Sequence, residues 1–365
     1  MIISELTIYR FSLPLKKALK LVTGPVTERE GFVVKVTGDE GQVGYGEIAP
    51  LPGFSRETID EIPEAIKQLK AVVVGNETPE NLEELSGGFK RWLSSMGLPY
   101  SVRFGFESAV LGAMASERGL SLCRLLSDSP RKHVTFNCML SHGTDEEVLA
   151  AALERQAEGF KTFKLKIGRG DPAIDVALVA SLRQTLGDGT VIRLDANRQY
   201  TCESIGGFVE AIKSIGVEYI EEPLPTRAEN LQWAKAGKLP VALDESVGEI
   251  EPEEAAACPG VIAVLLKPTR LGLERTVRFA RAASSRSIMP VISSSFESSL
   301  GLSILAHLAL VVTRHEIAMG LATADIFAHD LLDKPLLPID ARVARADIPD
   351  PAESIQMDRL TEVKL

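Results

Sequence analysis

From about residue 133 the chain alternates short apolar runs with longer amphipathic ones. The short runs fall at 134–140, 162–167, 191–195, 219–221, 241–243, 262–267, 290–293 and 316–319, and their length and composition predict strands. Between them a 3.6-residue period predicts helices near 144–157, 172–185, 201–214, 227–236, 251–257, 273–285 and 298–312. Strands alternating with helices every ~20–30 residues predict an α/β fold, here a modified TIM-type (β/α) barrel. An open doubly wound sheet would bring a glycine-rich first turn, and the chain has neither GxGxxG nor GxxxxGK[ST].

Ahead of the barrel the pattern changes. Residues 2–14 and 31–36 alternate as strands, and a Gly-Asp-Glu-Gly turn at 38–41 folds the second onto 42–47 as a hairpin. Residues 15–30, with Lys16, Lys17, Lys20 and Arg29, show no clear period and read as a long loop; 49–55 reads as a second, ending in a helix N-cap at Ser55. Helices are predicted at 56–74, 80–95 and 102–118. The reading is an α+β capping domain over 1–125, the barrel over 126–327, and a proline-rich tail over 328–365. A strand near 341–348 is expected to return that tail to the capping domain.

Composition narrows the partners. With 365 residues, 45% hydrophobic and 25% charged, the chain is globular and large enough for roughly two domains. A net charge of −10 disfavours a nucleic-acid surface, which leaves small-molecule chemistry. The most apolar stretch, 300–312, is broken by Ser303 and His307 and is too short to span a bilayer. Cys123, Cys138, Cys202 and Cys258 form no CxxC pair, and the start lacks a signal-peptide pattern, so a reducing cytoplasm is expected.

The candidate chemistry centres on Phe163-Lys164-Leu165-Lys166-Ile167-Gly168. Strand alternation puts Lys164 and Lys166 on one face, where burial or mutual repulsion should lower at least one lysine pKa and make a base. Alone, the stretch reads equally as an edge strand with surface lysines. The following strands end in Arg193-Leu194-Asp195-Ala196-Asn197, Ile220-Glu221-Glu222-Pro223, Leu243-Asp244-Glu245-Ser246 and Leu266-Lys267-Pro268. Active sites of such barrels gather at the carboxyl ends of the strands. Carboxylates from three strands make a hard oxygen site suited to Mg²⁺, with Mn²⁺ as a substitute. Each acid alone reads as a helix cap or a solvated charge; bracketing by lysines argues for a joint role. Asp195, Glu221 and Asp244 are the expected metal ligands, Glu222 standing behind Glu221. Arg193 shares the face of Asp195 and is a candidate carboxylate partner. Ser293, Ser294 and Ser295, with free N–H groups at a helix start, are candidates to bind a carboxylate, although simple capping by Ser298 explains the segment as well. No GxSxG elbow supports serine catalysis, and His133, His142, His307, His315 and His329 read as structural or surface residues.

These residues resemble the enolase superfamily. KxK, DAN, EEP, DES and the sixth-strand lysine, between a cap and a returning tail, carry the resemblance over nearly the whole chain. Residues 46–55 (GEIAPLPGFS), 193–197 and 293–301 are similar to the o-succinylbenzoate synthase family, in the muconate-lactonizing-like subgroup. The resemblance implies syn dehydration of 2-succinyl-6-hydroxy-2,4-cyclohexadiene-1-carboxylate to o-succinylbenzoate, a step of menaquinone biosynthesis. It implies Mg²⁺ on Asp195, Glu221 and Asp244, Lys166 as acid/base, Lys164 as its tuner, and Lys267 as a cation against the ring. Asn197 would support the metal site. Loops 15–30 and 49–55, Phe54 among them, would close over the small-molecule carboxylate substrate. The resemblance leaves two rivals: an N-succinylamino acid racemase or dipeptide epimerase using Lys166 and Lys267 as opposed bases, and a non-catalytic ligand-binding barrel. The dipeptide epimerases commonly carry an Asp-x-Asp pair after the eighth strand, which 320–325 lacks.

Overall fold

A computed structural model describes residues 1–21, 23–140 and 143–365, the side chain of Lys20 excepted. The amino-terminal sheet is antiparallel, built from β1 (Ile3–Leu21), β2 (Gly24–Gly38) and β3 (Val43–Ile48), and β2–β3 is the hairpin expected across 38–41. Residues 15–30 are not a loop. They extend β1 and β2 into a long hairpin, with a register break between Pro14 and Leu19; Val22 lies outside the described residues. The break lets Leu15 pair with Phe327, so the hairpin is stitched to the far end of the barrel domain.

Three further expectations change. Ser55 caps no helix: its Oγ accepts from Leu51 N–H, and the helix Ile62–Val73 is entered through a 3-10 turn whose N-cap is Thr58. Residues 80–95 do not form one helix, because left-handed backbone at Asn81, Leu85 and Gly87 breaks them into a turn and the short helix Gly88–Trp92. The run 134–140 is split at Asn137 into β4 (His133–Phe136) and β5 (Cys138–Leu140).

The barrel continues through β6 (Thr162–Lys166), β7 (Val191–Asp195), β8 (Tyr219–Glu221), β9 (Val241–Leu243), β10 (Val261–Leu266), β11 (Met289–Ile292) and β12 (Ala318–Met319). Strands β5 to β11 pair in sequence order, all parallel. A bridge from Ser293 to Gly320 leads to β12, which pairs in parallel with β4, so the sheet curls round and closes. Helices cover the outer face of the closed sheet and the inner faces of the strands pack on one another, so both faces are buried and the strands read as unbroken apolar runs. Capping boxes at Thr144 and Thr226 start Asp145–Ala157 and Arg227–Ala236, and Asp171 with Pro172 starts Pro172–Leu186.

The tail strand lies at β13 (Arg342–Ala344), but it pairs with β4 of the barrel and not with the capping sheet. The return is made by β14 (Thr361–Val363), antiparallel to β1. Cap and barrel are also locked by buried carboxylates. Glu107, on the cap helix Tyr100–Glu117, accepts from Glu274 N–H at 2.9 Å, at the start of Leu273–Ser284. Glu274 in turn accepts from Gly87 and Lys90 N–H, both at 2.8 Å.

Candidate active site

Lys164 and Lys166 lie on β6, Asp195 ends β7, Glu221 ends β8, Asp244 follows β9 and Lys267 follows β10. Since these strands are successive neighbours, the topology sets three carboxylates in a row with ammonium groups on either flank. Lys166 is in register with Asp195, and Asp195 with Glu221. The turns just beyond the strands are strained: Asn197 (φ +43°), Arg198 (φ +63°) and Glu222 (φ +40°) hold left-handed backbone, a cost that persists where a site fixes it.

The two lysines of β6 are not equivalent. Lys164 Nζ lies 2.9 Å from Asp195 Oδ2 and donates to Glu221 Oε1 at 2.8 Å. Lys166 Nζ donates to Asn197 Oδ1 at 2.6 Å and stays 3.8 Å from Asp195. The Lys166 side chain is 26% exposed against 12% for Lys164, so Lys166 is the freer to meet a ligand. On the other flank Lys267 bonds Asp244, with Arg270 at 4.0 Å from the same carboxylate.

Burial alone would lower Lys164, but Asp195, then Glu221 and Asp244, outweigh it and hold the ammonium well above the ordinary lysine value. The expected downward shift therefore does not apply to Lys164; three acids decide the sign. Burial, then the Asp195 charge, pushes Glu221 well above the carboxylate range. Burial opposes ionisation of Asp244, yet Lys267 and then Arg270 hold it below that range. Among the described residues no three His, Cys, Asp or Glu side chains form a ready metal cage. Here the acids close onto Lys164 and Lys267 instead. The donor set still fits a hard divalent cation: three buried carboxylates stand at the ends of adjacent strands, and Glu221 Oε2, 2.7 Å from Lys164 Nζ, has no aligned hydrogen bond.

Glu222 turns away into a backing network. It accepts from Arg198 Nε at 3.0 Å, Asn230 Nδ2 at 2.9 Å, and Asp244 and Ser246 N–H at 2.9 and 2.8 Å, so it braces the turn that carries Asp244.

The serine segment differs from expectation. The N–H groups at the start of Ser299–Ala309 are already taken: Glu47 accepts from Ser298 and Gly301, and Asp330 from Ser299. Ser295 N–H goes to Glu297, and Ser294 Oγ meets Thr323 Oγ1 at 2.9 Å. Ser295 Oγ alone among Ser293, Ser294 and Ser295 is both buried and without a partner. Arg193 is already engaged within the protein: at 2% exposure its guanidinium bonds the Glu218 carboxylate at 2.6 Å and the Ala318 carbonyl at 2.7 Å. Phe54 is half-buried in the 49–55 loop, which meets the hairpin where Thr23 Oγ1 donates to the Pro52 carbonyl. His307 is buried and His315 and His329 are exposed; His133 lies 3.7 Å from Glu316, and His142 is outside the described residues. Sequence reasoning gave Arg29, Glu47, Glu245 and Glu297 no role, although it quoted the stretches that contain them, and passed over Arg198. Glu245 directly follows Asp244 and is pushed up to about 7 by burial and then by that neighbour.

A closed parallel barrel under an α+β cap, with acids and lysines at its strand ends, defines a class, and comparison with known proteins agrees. Residues 147–351 match the family "Enolase C-terminal domain-like" and residues 3–111 match "MenC, N-terminal domain". The chain belongs to the enolase superfamily. More narrowly, it is 32% identical over 335 residues to o-succinylbenzoate synthase of Pectobacterium atrosepticum, covering 90% of this chain and 93% of that one. Protein PHYLLO of Arabidopsis thaliana is 34% identical over 75% of this chain, which spans 17% of that longer protein. Among solved structures, muconate lactonizing enzyme from Pseudomonas fluorescens superposes with a TM-score of 0.86 at 22% identity, covering 98% of both chains. N-succinyl Arg/Lys racemase from Bacillus cereus gives 0.86 at 19% identity over 100% of both. Among the described residues no helix is long and apolar enough to cross a membrane.

Proposed function

We propose that this chain is a cytoplasmic lyase that dehydrates 2-succinyl-6-hydroxy-2,4-cyclohexadiene-1-carboxylate to o-succinylbenzoate, in menaquinone biosynthesis. The observation that carries the reading is the ordered row Lys166, Asp195, Glu221, Asp244, Lys267 across adjacent strand ends. Its support in kinship is an o-succinylbenzoate synthase relative aligned over nearly its full length. Asp195, Glu221 and Asp244 would hold Mg²⁺ (or Mn²⁺), which supplies positive charge where negative charge develops on the substrate carboxylate, an effect worth several kcal/mol, roughly. Lys166 takes the proton α to that carboxylate, the C–O bond to the ring hydroxyl breaks, and the same ammonium returns the proton so that water leaves from one face. Lys164, locked between Asp195 and Glu221, stays charged and holds its strand end in register. Lys267 offers its cation to the ring from the other flank. Ser295, with an unused hydroxyl, receives the succinyl carboxylate.

A second reading is favoured by one observation. Lysines on opposite flanks of the acid row are what two-base racemization of an N-succinylamino acid requires, and the structural neighbours include an N-succinyl Arg/Lys racemase. Purified protein with Mg²⁺ is expected to convert the cyclohexadiene substrate. No conversion, together with fast α-proton exchange of N-succinylamino acids, selects the racemase instead.

A further inference from the structure

Arg29 sits on β2 opposite Leu13, at a position facing the core where alternation calls for an apolar side chain, and it is 2% exposed. Its guanidinium donates only to backbone carbonyls: Nη2 to Ala49 at 2.9 Å, Nη1 to Pro50 at 3.1 Å, Nε to Phe296 at 3.1 Å, and Nη2 to Ser295 at 3.5 Å. Among the described residues no carboxylate lies within ion-pair distance of it, although Glu297 and then Glu47 stabilise its charge from farther off, against the cost of burial. Burying a cation with carbonyl partners alone is costly, and a fold that needed only a staple could use an apolar residue there. What the guanidinium achieves is to join three segments at one point: the long hairpin, the 49–55 loop of the cap, and the serine turn at the end of β11.

The turn it grips carries the spare hydroxyl. Phe296 holds left-handed backbone at φ +62°, and the Ser295 and Phe296 carbonyls are both turned to Arg29. A trans peptide points its N–H opposite its carbonyl, so these contacts fix both peptide planes and with them the base of the Ser295 side chain. Glu297 completes the turn from the other side, accepting from Ser295 N–H at 2.6 Å and from Thr269 Oγ1.

We infer that Arg29 is a positioning residue: it sets the Ser295 turn and the Phe54 loop in one frame, so that the hydroxyl and the loop meet the distal carboxylate of the substrate together. The inference rests on the dehydration reading, and its test separates the two. Steady-state kinetics would compare wild type, Arg29→Met, Arg29→Lys, Ser295→Ala and the double variant Arg29→Met/Ser295→Ala, each with Mg²⁺. Arg29→Met and Ser295→Ala are each expected to raise KM about tenfold with kcat within about threefold, and the double variant to match the single ones, because residues acting as a unit are not additive. Arg29→Lys keeps the charge without the fork, so its KM should lie near that of Arg29→Met; it also serves if the methionine variant fails to fold. Unchanged KM in the Arg29 variants, or effects that multiply in the double variant, overturn the positioning role. Absence of dehydration by wild type overturns the reaction itself.

Discussion

Gly46→Ala should destabilise the protein although alanine fits the local backbone. Gly46 lies on β3 against the cap helix Tyr100–Glu117, and a Cβ there would stand 1.9 Å from the Gly105 carbonyl oxygen. Ordinary contact begins near 3.4 Å, so strand and helix must part by about 1.5 Å at that point. Overpacking generally costs about 1–3 kcal/mol when side chains can change rotamer; here the clash is with backbone, and a Cβ at Gly44 would likewise stand 2.0 Å from the Ala109 carbonyl oxygen, so the two elements are closely packed along their length and about 3 kcal/mol or more is expected. The damage should reach the site, because Glu47 is the next residue and holds the start of Ser299–Ala309. Urea unfolding followed by circular dichroism would show the midpoint falling by about 1 M. Gly189→Ala is the control: nothing lies within 4 Å of its Cβ, and a change within about 0.5 kcal/mol is expected. A Gly46→Ala midpoint equal to that of the control would refute the close-packing argument.

Three other outcomes follow from named contacts. Burial pushes His307 down to about 4 from 6.5, so below pH 6.5 the unfolded chain takes up a proton that the fold refuses; stability should be lost as pH falls from 6.5 towards 4, by about 3 kcal/mol, and His307→Leu should flatten that slope in pH-dependent urea melts. Arg193→Met should cost about 3 kcal/mol in the same melts, since it strands Glu218 and the buried Ala318 carbonyl. Mg²⁺ at about a hundred times its Kd should stabilise wild type by about 2.7 kcal/mol over chelated protein in thermal melts, a gain that Glu221→Gln should largely remove.

Much of the site was legible because it is local. The runs 191–195, 219–221 and 241–243 are strands to the residue, and the ends they expose follow from that. Helix 227–236 was equally readable, having a capping box at Thr226 and Gly237 just past its end. What escaped depends on partners distant in sequence. Arg29 and Phe296 are 267 residues apart, and Glu47 and Ser298 251, so no periodicity could mark them. The long hairpin was hidden because the bulge between Pro14 and Leu19 shifts the alternation that would have revealed it. The serine segment was readable as a helix start, but which N–H groups stay free is decided by carboxylates brought from Glu47 and Asp330. The sign of the Lys164 shift likewise needed the distances to Asp195 and Glu221, since burial and nearby charge oppose each other.

The most direct measurement is conversion of the cyclohexadiene substrate by wild type and Lys166→Ala, with Mg²⁺ binding measured on both by calorimetry. Wild type should form o-succinylbenzoate, and the variant should lose at least about a thousandfold in kcat while binding the metal nearly as well, as expected when a general acid/base is removed. A variant that still dehydrates at close to the wild-type rate would contradict the role of Lys166 and, with it, the proposed chemistry.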